Sequence, residues 1–186
     1  SGATESNNLI IKGLRDYLYE HQLKALTLKT EHKCVLNSFD YLSRNGVEVE
    51  YLDIQKNGLV DLDILEKKLQ GVGLLSVMYV NNEIGVITDI EAVGSICRKH
   101  NAIFHSDTVQ SIGRYKFNLS KSNIDFIVGS AHKFHGPKGV GFLYVNKDLN
   151  LKSLVIGGDF GAKDGLIPVP LLKEEVGFGL PKLGLK

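Results

Sequence analysis

Polar residues able to do chemistry stand directly after apolar, strand-like runs in this sequence. After "LLSVMYV" come Asn81, Asn82 and Glu83; after "AIFHS" come Asp107 and then Gln110. After "IDFIVG" come Ser130, His132 and Lys133, and after "LTLKT" come Glu31 and His32. In a parallel sheet ligands sit at the carboxyl ends of the strands, so these groups would converge on one rim. The opening "SGATESNN" adds small residues leading into a helix, whose first turn exposes unpaired N–H groups. Such a turn binds phosphate with the help of the helix dipole, and Thr4 can add a hydroxyl. The combination describes a phosphorylated cofactor beside a lysine and an acid. Pyridoxal 5'-phosphate meets each requirement: its aldehyde needs a lysine amine, its ring nitrogen a carboxylate, and its phosphate a helix N-terminus with hydroxyl donors.

The elements that must position these groups are legible from periodicity. Leu9, Ile10, Leu14, Tyr17 and Leu18 recur at helical spacing, which predicts an amphipathic helix from about Glu5 to His21. "KALTLKT" alternates and suggests a short strand, and "VEVEYLDI" alternates strictly as a strand with one wet face, whereas "LLSVMYV" is apolar throughout, as in a strand buried on both faces. "CVLNSFDYLSRNG" reads as a helix stopped at Asn45-Gly46, and "VDLDILEKKLQ" and "DIEAVGSICRKH" as two more. "AIFHSD", "IDFIVGSA" and "GFLYV" complete the strands. Alternation of strands and helices predicts an α/β domain with a mostly parallel sheet.

Bulk composition narrows the function classes. Apolar residues make up 43% and charged residues 23%, as in an ordinary globular protein. The net charge of +1 gives no basis for a nucleic-acid partner or an acidic membrane surface. No apolar run approaches the roughly 20 residues needed to cross a bilayer. Two cysteines, Cys34 and Cys97, do not make a disulfide scaffold and fit a reducing compartment. The chain starts at Ser1 and ends in "GFGLPKLGLK", which forms no clear element, so it reads as a fragment.

The stretches "SGATESNN", "TEHKCVL", "SVMYVNNEIGV", "FHSDTVQSIG" and "GSAHKFHGPKGVG", in that order, resemble the cysteine desulfurases of the class V aminotransferase group. The resemblance implies the three-layer α/β/α large domain of the fold-type I pyridoxal enzymes. It implies that residues 1–150 form this domain, incomplete at its N-terminus, and that 151–186 are a divergent, truncated continuation toward a small domain. It makes Lys133 the lysine that joins the cofactor aldehyde and Asp107 the partner of the ring nitrogen. Gln110 and Asn82 would bond the ring hydroxyl region, and His32 would stack on the ring and move protons. Ala3, Thr4, Ser130 and His132 would hold the phosphate. The implied reaction converts L-cysteine to L-alanine and leaves a persulfide on the enzyme, for iron–sulfur cluster assembly. The implied setting is a homodimer serving iron–sulfur scaffold and sulfur-acceptor proteins, in the mitochondrial matrix or a bacterial cytoplasm, with the mitochondrial branch preferred.

Several residues admit plainer readings. Lys138 is a rival amine, Asp107 suits a strand-end cap, and His32 suits a packed residue beside a helix start. His105 lies within a strand, and His21, His100 and His135 read as surface residues. Cys97, His100 and His105 lack the spacing of a structural zinc site. Cys34 follows His32 in the first turn of a helix, where the dipole is expected to lower its pKa. The family's nucleophilic cysteine lies after the lysine, and no cysteine follows Lys133 here, so Cys34 is assigned a structural role. Where the family carries an Arg-Ser-Gly-Thr segment for a neighbouring subunit's phosphate, this chain has Lys163, Asp164, Gly165 and Leu166. The isolated chain is therefore expected to be inactive or nearly so. A selenocysteine lyase-like enzyme and a truncated, non-catalytic domain are the alternatives.

Overall fold

The computed structural model describes residues 2–116, 118–146, 148–149 and the backbone strand 166–167. The stretch Lys163 to Gly165 and the tail therefore lie outside the described residues.

Seven strands form one sheet in the order β2-β1-β3-β4-β5-β6-β7. These are β1 (Lys24–Leu28), β2 (Val49–Leu52), β3 (Val72–Ser76), β4 (Ile103–Asp107), β5 (Phe126–Ser130), β6 (Gly141–Val145) and β7 (Leu166–Ile167). β1 to β5 pair in parallel, and β6 and β7 add antiparallel neighbours at one edge. β3, β4 and β5 are buried along their whole length; this follows from the apolar runs of β3 and β5, whereas β4 also buries His105, Ser106 and Asp107. Strand order reverses beside β1, which opens a crevice at the carboxyl ends of β1, β3 and β4.

Side chains alternate across the sheet and feed a separate core on each face. Phe104 and Ile127 join Leu65, Val93 and Cys97 beneath α4 (Leu62–Lys68) and α5 (Ile90–Lys99). Ile103, Phe126 and Val128 join Ile10, Ile11, Leu14, Leu18, Val35 and Phe39 beneath α1 (Ala3–Gly13), α2 (Arg15–Glu20) and α3 (Lys33–Arg44). Helices thus cover both faces, giving three layers. Each fully buried Leu, Ile or Phe contributes on the order of 1.5–3 kcal/mol to holding the layers together. The same alternation places Asp107, in step with Ile103, and Ser130, in step with Phe126 and Val128, on the α1 side.

Local chemistry sets the ends of the helices. Asp61 accepts from the Ile64 N–H at the start of α4, and Asp89 from the Ala92 N–H at the start of α5. α3 ends as expected at Asn45-Gly46, with Gly46 at φ 87°. The expected single helix from Glu5 to His21 is instead two. The first ends at Gly13, a poor helix former, and Arg15 begins the second while donating to the Asn45 carbonyl at 2.8 and 3.0 Å. β3 begins and ends earlier than "LLSVMYV" suggested; Val77 and Tyr79 still donate to the His105 and Asp107 carbonyls.

Candidate active site

A cavity of about 490 Å³ opens at the carboxyl ends of the strands. That is within the range of sites for small molecules and cofactors. Ala3, Thr4, His32, Asn82, Asp107, Gln110, Ser130, His132 and Lys133 all line it, so the structure brings every sequence-predicted residue to one place. Cys34, Met78 and Lys138 line it as well.

The α1 end of the cavity is an open helix start. Gly2, which has no side chain to cap with, is the N-cap. It is held in place by close packing, because a Cβ on Gly141 would stand 2.6 Å from the Gly2 Cα. The Ser130 hydroxyl is beside Gly2 and hydrogen-bonds His132 Nδ1 at 2.9 Å. A helix start, hydroxyls and an imidazole suit an anion such as phosphate.

Lys133 sits on a 3₁₀ turn, Ala131–Phe134, that follows β5 directly. His135, and not a glycine, closes the turn in the left-handed region at φ 68°. Gly136 then bonds back to the Ala131 carbonyl, and any Cβ there would meet Ala131 Cβ at 2.7 Å. The turn leaves the Lys133 side chain exposed on the rim.

Asp107 ends β4 and is buried. Its Oδ1 accepts from the Val109 N–H at 3.0 Å and its Oδ2 from Asn7 Nδ2 at 2.8 Å. Burial pushes its carboxyl up from the ordinary value, although the Val109 and Asn7 hydrogen bonds and nearby His32 pull the other way. A cationic partner in the cavity would relieve that cost, as a protonated ring nitrogen would. Asn7 is a site residue that sequence reasoning missed. Only its place beside Asn8 in "SGATESNN", on the face carrying Ile10 and Ile11, hinted at burial.

His32 is the N-cap of α3, and its Nδ1 accepts from the Cys34 N–H at 3.2 Å. Cys34 sits beneath it in the first turn. Contrary to the expected lowering, burial pushes the thiol up from its ordinary value. Desolvation of the sulfur outweighs the help it receives from Asn7 and the helix start. Asn82 stands on the exposed rim because Asn81 builds the turn before it. The Asn81 side chain donates to the Thr30 carbonyl and accepts from the Glu83 and Ile84 N–H groups. Cys97 is buried in the α5 core, and His105 is buried within β4 against the Ser76 hydroxyl.

A model of the family described as aminotransferase class-V matches residues 1–164. The chain belongs to that family. It is 45% identical over 185 residues to the cysteine desulfurase IscS of Rickettsia typhi, covering 97% of this chain and 44% of that protein. It is 42% identical over 184 residues to the mitochondrial cysteine desulfurase of Arabidopsis thaliana, covering 96% of this chain and 40% of that one. Among solved structures, a NifS-like protein superposes with a TM-score of 0.80 at 41% identity, covering 89% of this chain and 46% of the other. A structure titled SspA in complex with cysteine gives 0.79 at 38% identity, covering 89% and 48%. The chain thus spans less than half the length of these relatives. The three-layer fold with its mostly parallel sheet is the fold-type I architecture that the resemblance implied.

Proposed function

We propose that this chain is the cofactor-binding part of a cysteine desulfurase that converts L-cysteine to L-alanine and leaves a persulfide on the enzyme. The observation that carries the proposal is the convergence of Lys133, Asp107 and the start of α1 on one cavity. The names of the relatives and the cysteine in one neighbour's title support the substrate class.

The donor set fits pyridoxal 5'-phosphate. When bound, this group supplies an electron sink for the bonds at the substrate's Cα. Lys133 offers the amine that holds its aldehyde. Asp107 keeps a proton on its ring nitrogen, and Asn7 keeps Asp107 in place. The N–H groups at Ala3 and Thr4, with the Thr4 and Ser130 hydroxyls and His132, hold its phosphate. Gln110 and Asn82 orient the ring hydroxyl region, and His32 stacks on the ring and moves protons. Neither cysteine is set up as the sulfur acceptor: Cys97 is in the core, and the Cys34 thiol is raised by burial and bonded on both sides. The chain by itself is therefore expected to make little or no alanine. By the same reading the protein acts as a homodimer with iron–sulfur scaffold and sulfur-acceptor partners, in the mitochondrial matrix or a bacterial cytoplasm.

The deciding experiment is an absorption spectrum after adding pyridoxal phosphate to the parent chain, to Lys133→Ala and to Lys138→Ala. A visible band of lysine-bound cofactor in the parent and Lys138→Ala, absent in Lys133→Ala, supports the reading. A folded parent with no band overturns it in favour of a non-catalytic domain. With a longer chain that carries the acceptor thiol, faster turnover of selenocysteine than of cysteine would favour a lyase.

A further inference from the structure

His32 and Cys34 share more than a place on the cavity wall. His32 Nδ1 lies 3.2 Å from the backbone N of Cys34 and 3.0 Å from its Sγ. A backbone N–H can only donate, so Nδ1 is an acceptor and carries no proton. The contact with Sγ then requires the sulfur to bring its own proton. Asn7 fits that assignment from the other side, because its Nδ2 donates to Sγ at 3.2 Å and to Asp107 Oδ2 at 2.8 Å. The sulfur therefore accepts from Asn7, with the Thr4 hydroxyl and the Val35 N–H also against it, and donates to His32 Nδ1. The buried setting that raises the thiol keeps it protonated at neutral pH.

We propose that Cys34 is a positioning residue: its S–H and N–H together fill His32 Nδ1, which holds the imidazole as the Nε2–H tautomer. Nε2 is then the ring nitrogen left to exchange a proton with a bound molecule, since His32 is exposed at the cavity and Nδ1 is occupied from within the protein. Which nitrogen carries the proton is set by the hydrogen bond at the other, and here the setting groups are the N–H and the thiol of one neighbouring residue. The consequence for catalysis rests on the function proposed above: proton movement by His32 would run through Nε2. The tautomer itself does not depend on any cofactor.

The test is long-range proton–nitrogen NMR of the histidine side chains in the full chain without cofactor at neutral pH. His32→Gln identifies the His32 signals among the six histidines. The parent is expected to show a single Nε2–H pattern at His32. Cys34→Ala keeps the backbone N–H on Nδ1 and loses the S–H, so it is expected to keep the Nε2–H tautomer while shifting the Nδ1 resonance. Cys34→Ser, whose hydroxyl donates from the same place, is expected to return that resonance toward the parent's. Circular dichroism and the remaining histidine signals confirm that each variant folds. An Nδ1–H His32 in the parent overturns the proposal, as does a folded Cys34→Ala with unchanged His32 nitrogens. Should Cys34→Ala not fold, the parent spectrum and Cys34→Ser still decide. A parent that shows the Nε2–H pattern yet takes up no pyridoxal phosphate supports this inference while removing the function proposed above.

Discussion

Asn7 of α1 holds Asp107 of β4 across the sheet–helix boundary, its Nδ2 donating to Oδ2 at 2.8 Å. The two residues belong to the pieces the site needs most: the helix whose start would meet a phosphate and the strand whose end would meet a ring nitrogen. Both are buried, and the amide ties one piece to the other. A change at either residue is therefore read out in the geometry of both.

Asn7→Ala removes that tie and leaves a buried carboxylate oxygen with no partner. The expected cost is about 1–3 kcal/mol of folding stability, the usual penalty for an orphaned buried polar group. Urea unfolding of parent and variant checks it. Pyridoxal phosphate affinity should fall in the same variant, because Asp107 is then free to rotate away from the cavity.

Gly141→Ala would place a methyl 2.6 Å from the Gly2 Cα and 2.8 Å from the Gly2 carbonyl carbon. The start of α1 must then move off β6. The expected result is about 1–3 kcal/mol of lost stability from overpacking and a larger fractional loss of phosphate-dependent cofactor binding. Gly71→Ala is the control. It has open space around its Cβ, lies away from the cavity and carries only the strain of φ 75°, so about 1 kcal/mol is expected with binding largely kept. Unfolding midpoints and absorbance titrations with pyridoxal phosphate separate the two effects.

Much of the arrangement was legible because strand ends are marked in the sequence. Asp107, Ser130 and Lys133 each follow a run whose apolar character predicts burial, and parallel topology brings such ends together. The partners of these residues were not legible. Asn7 lies 100 residues from Asp107, and only the packing of α1 against β5 and β6 makes them neighbours. The direction of the Cys34 shift was misjudged for a similar reason: the helix start was visible in "EHKCVL", but the burial that outweighs it comes from α1. The break between α1 and α2 went unseen because apolar residues continue in phase through Gly13.

Two buried groups set opposite pH slopes for stability. Glu31 accepts the Met78 N–H at Oε1, has no partner at Oε2 and lies near Asp107. Burial holds its carboxyl well above the ordinary 4.5, with the Asp107 charge adding to the rise. The native state then keeps a proton that the unfolded chain has lost, so this contribution is full below pH 4.5 and falls as pH rises toward the folded value. Glu31→Gln removes the fall; its stability relative to the parent should grow as pH rises above 4.5 toward the raised folded value. His105 works the other way. Burial lowers it from 6.5 to about 3, so its contribution is present above pH 6.5 and is lost as pH falls toward 3. The loss amounts to about 1.4 kcal/mol per pH unit inside that window. A single-proton reduction of the acid slope in His105→Gln, measured by urea unfolding across pH, checks it.

Asp107→Asn separates stability from cofactor binding. The new side-chain amide can keep its oxygen on the Val109 N–H and turn its NH₂ toward Asn7. Asn7 Oδ1 has no hydrogen-bond partner and can accept that NH₂ if the Asn7 amide rotates. The buried carboxyl and its desolvation are gone, so stability at neutral pH should be unchanged or higher than the parent's. The cavity, however, loses the Asp107 carboxylate that would face a cationic ring nitrogen. Loss of a charged hydrogen bond of about 1.5–3 kcal/mol predicts pyridoxal phosphate binding weaker by about tenfold to a hundredfold. Unfolding curves and absorbance titrations on the same preparation give both numbers. A variant that is as stable as the parent and binds the cofactor equally well would remove Asp107 from the site.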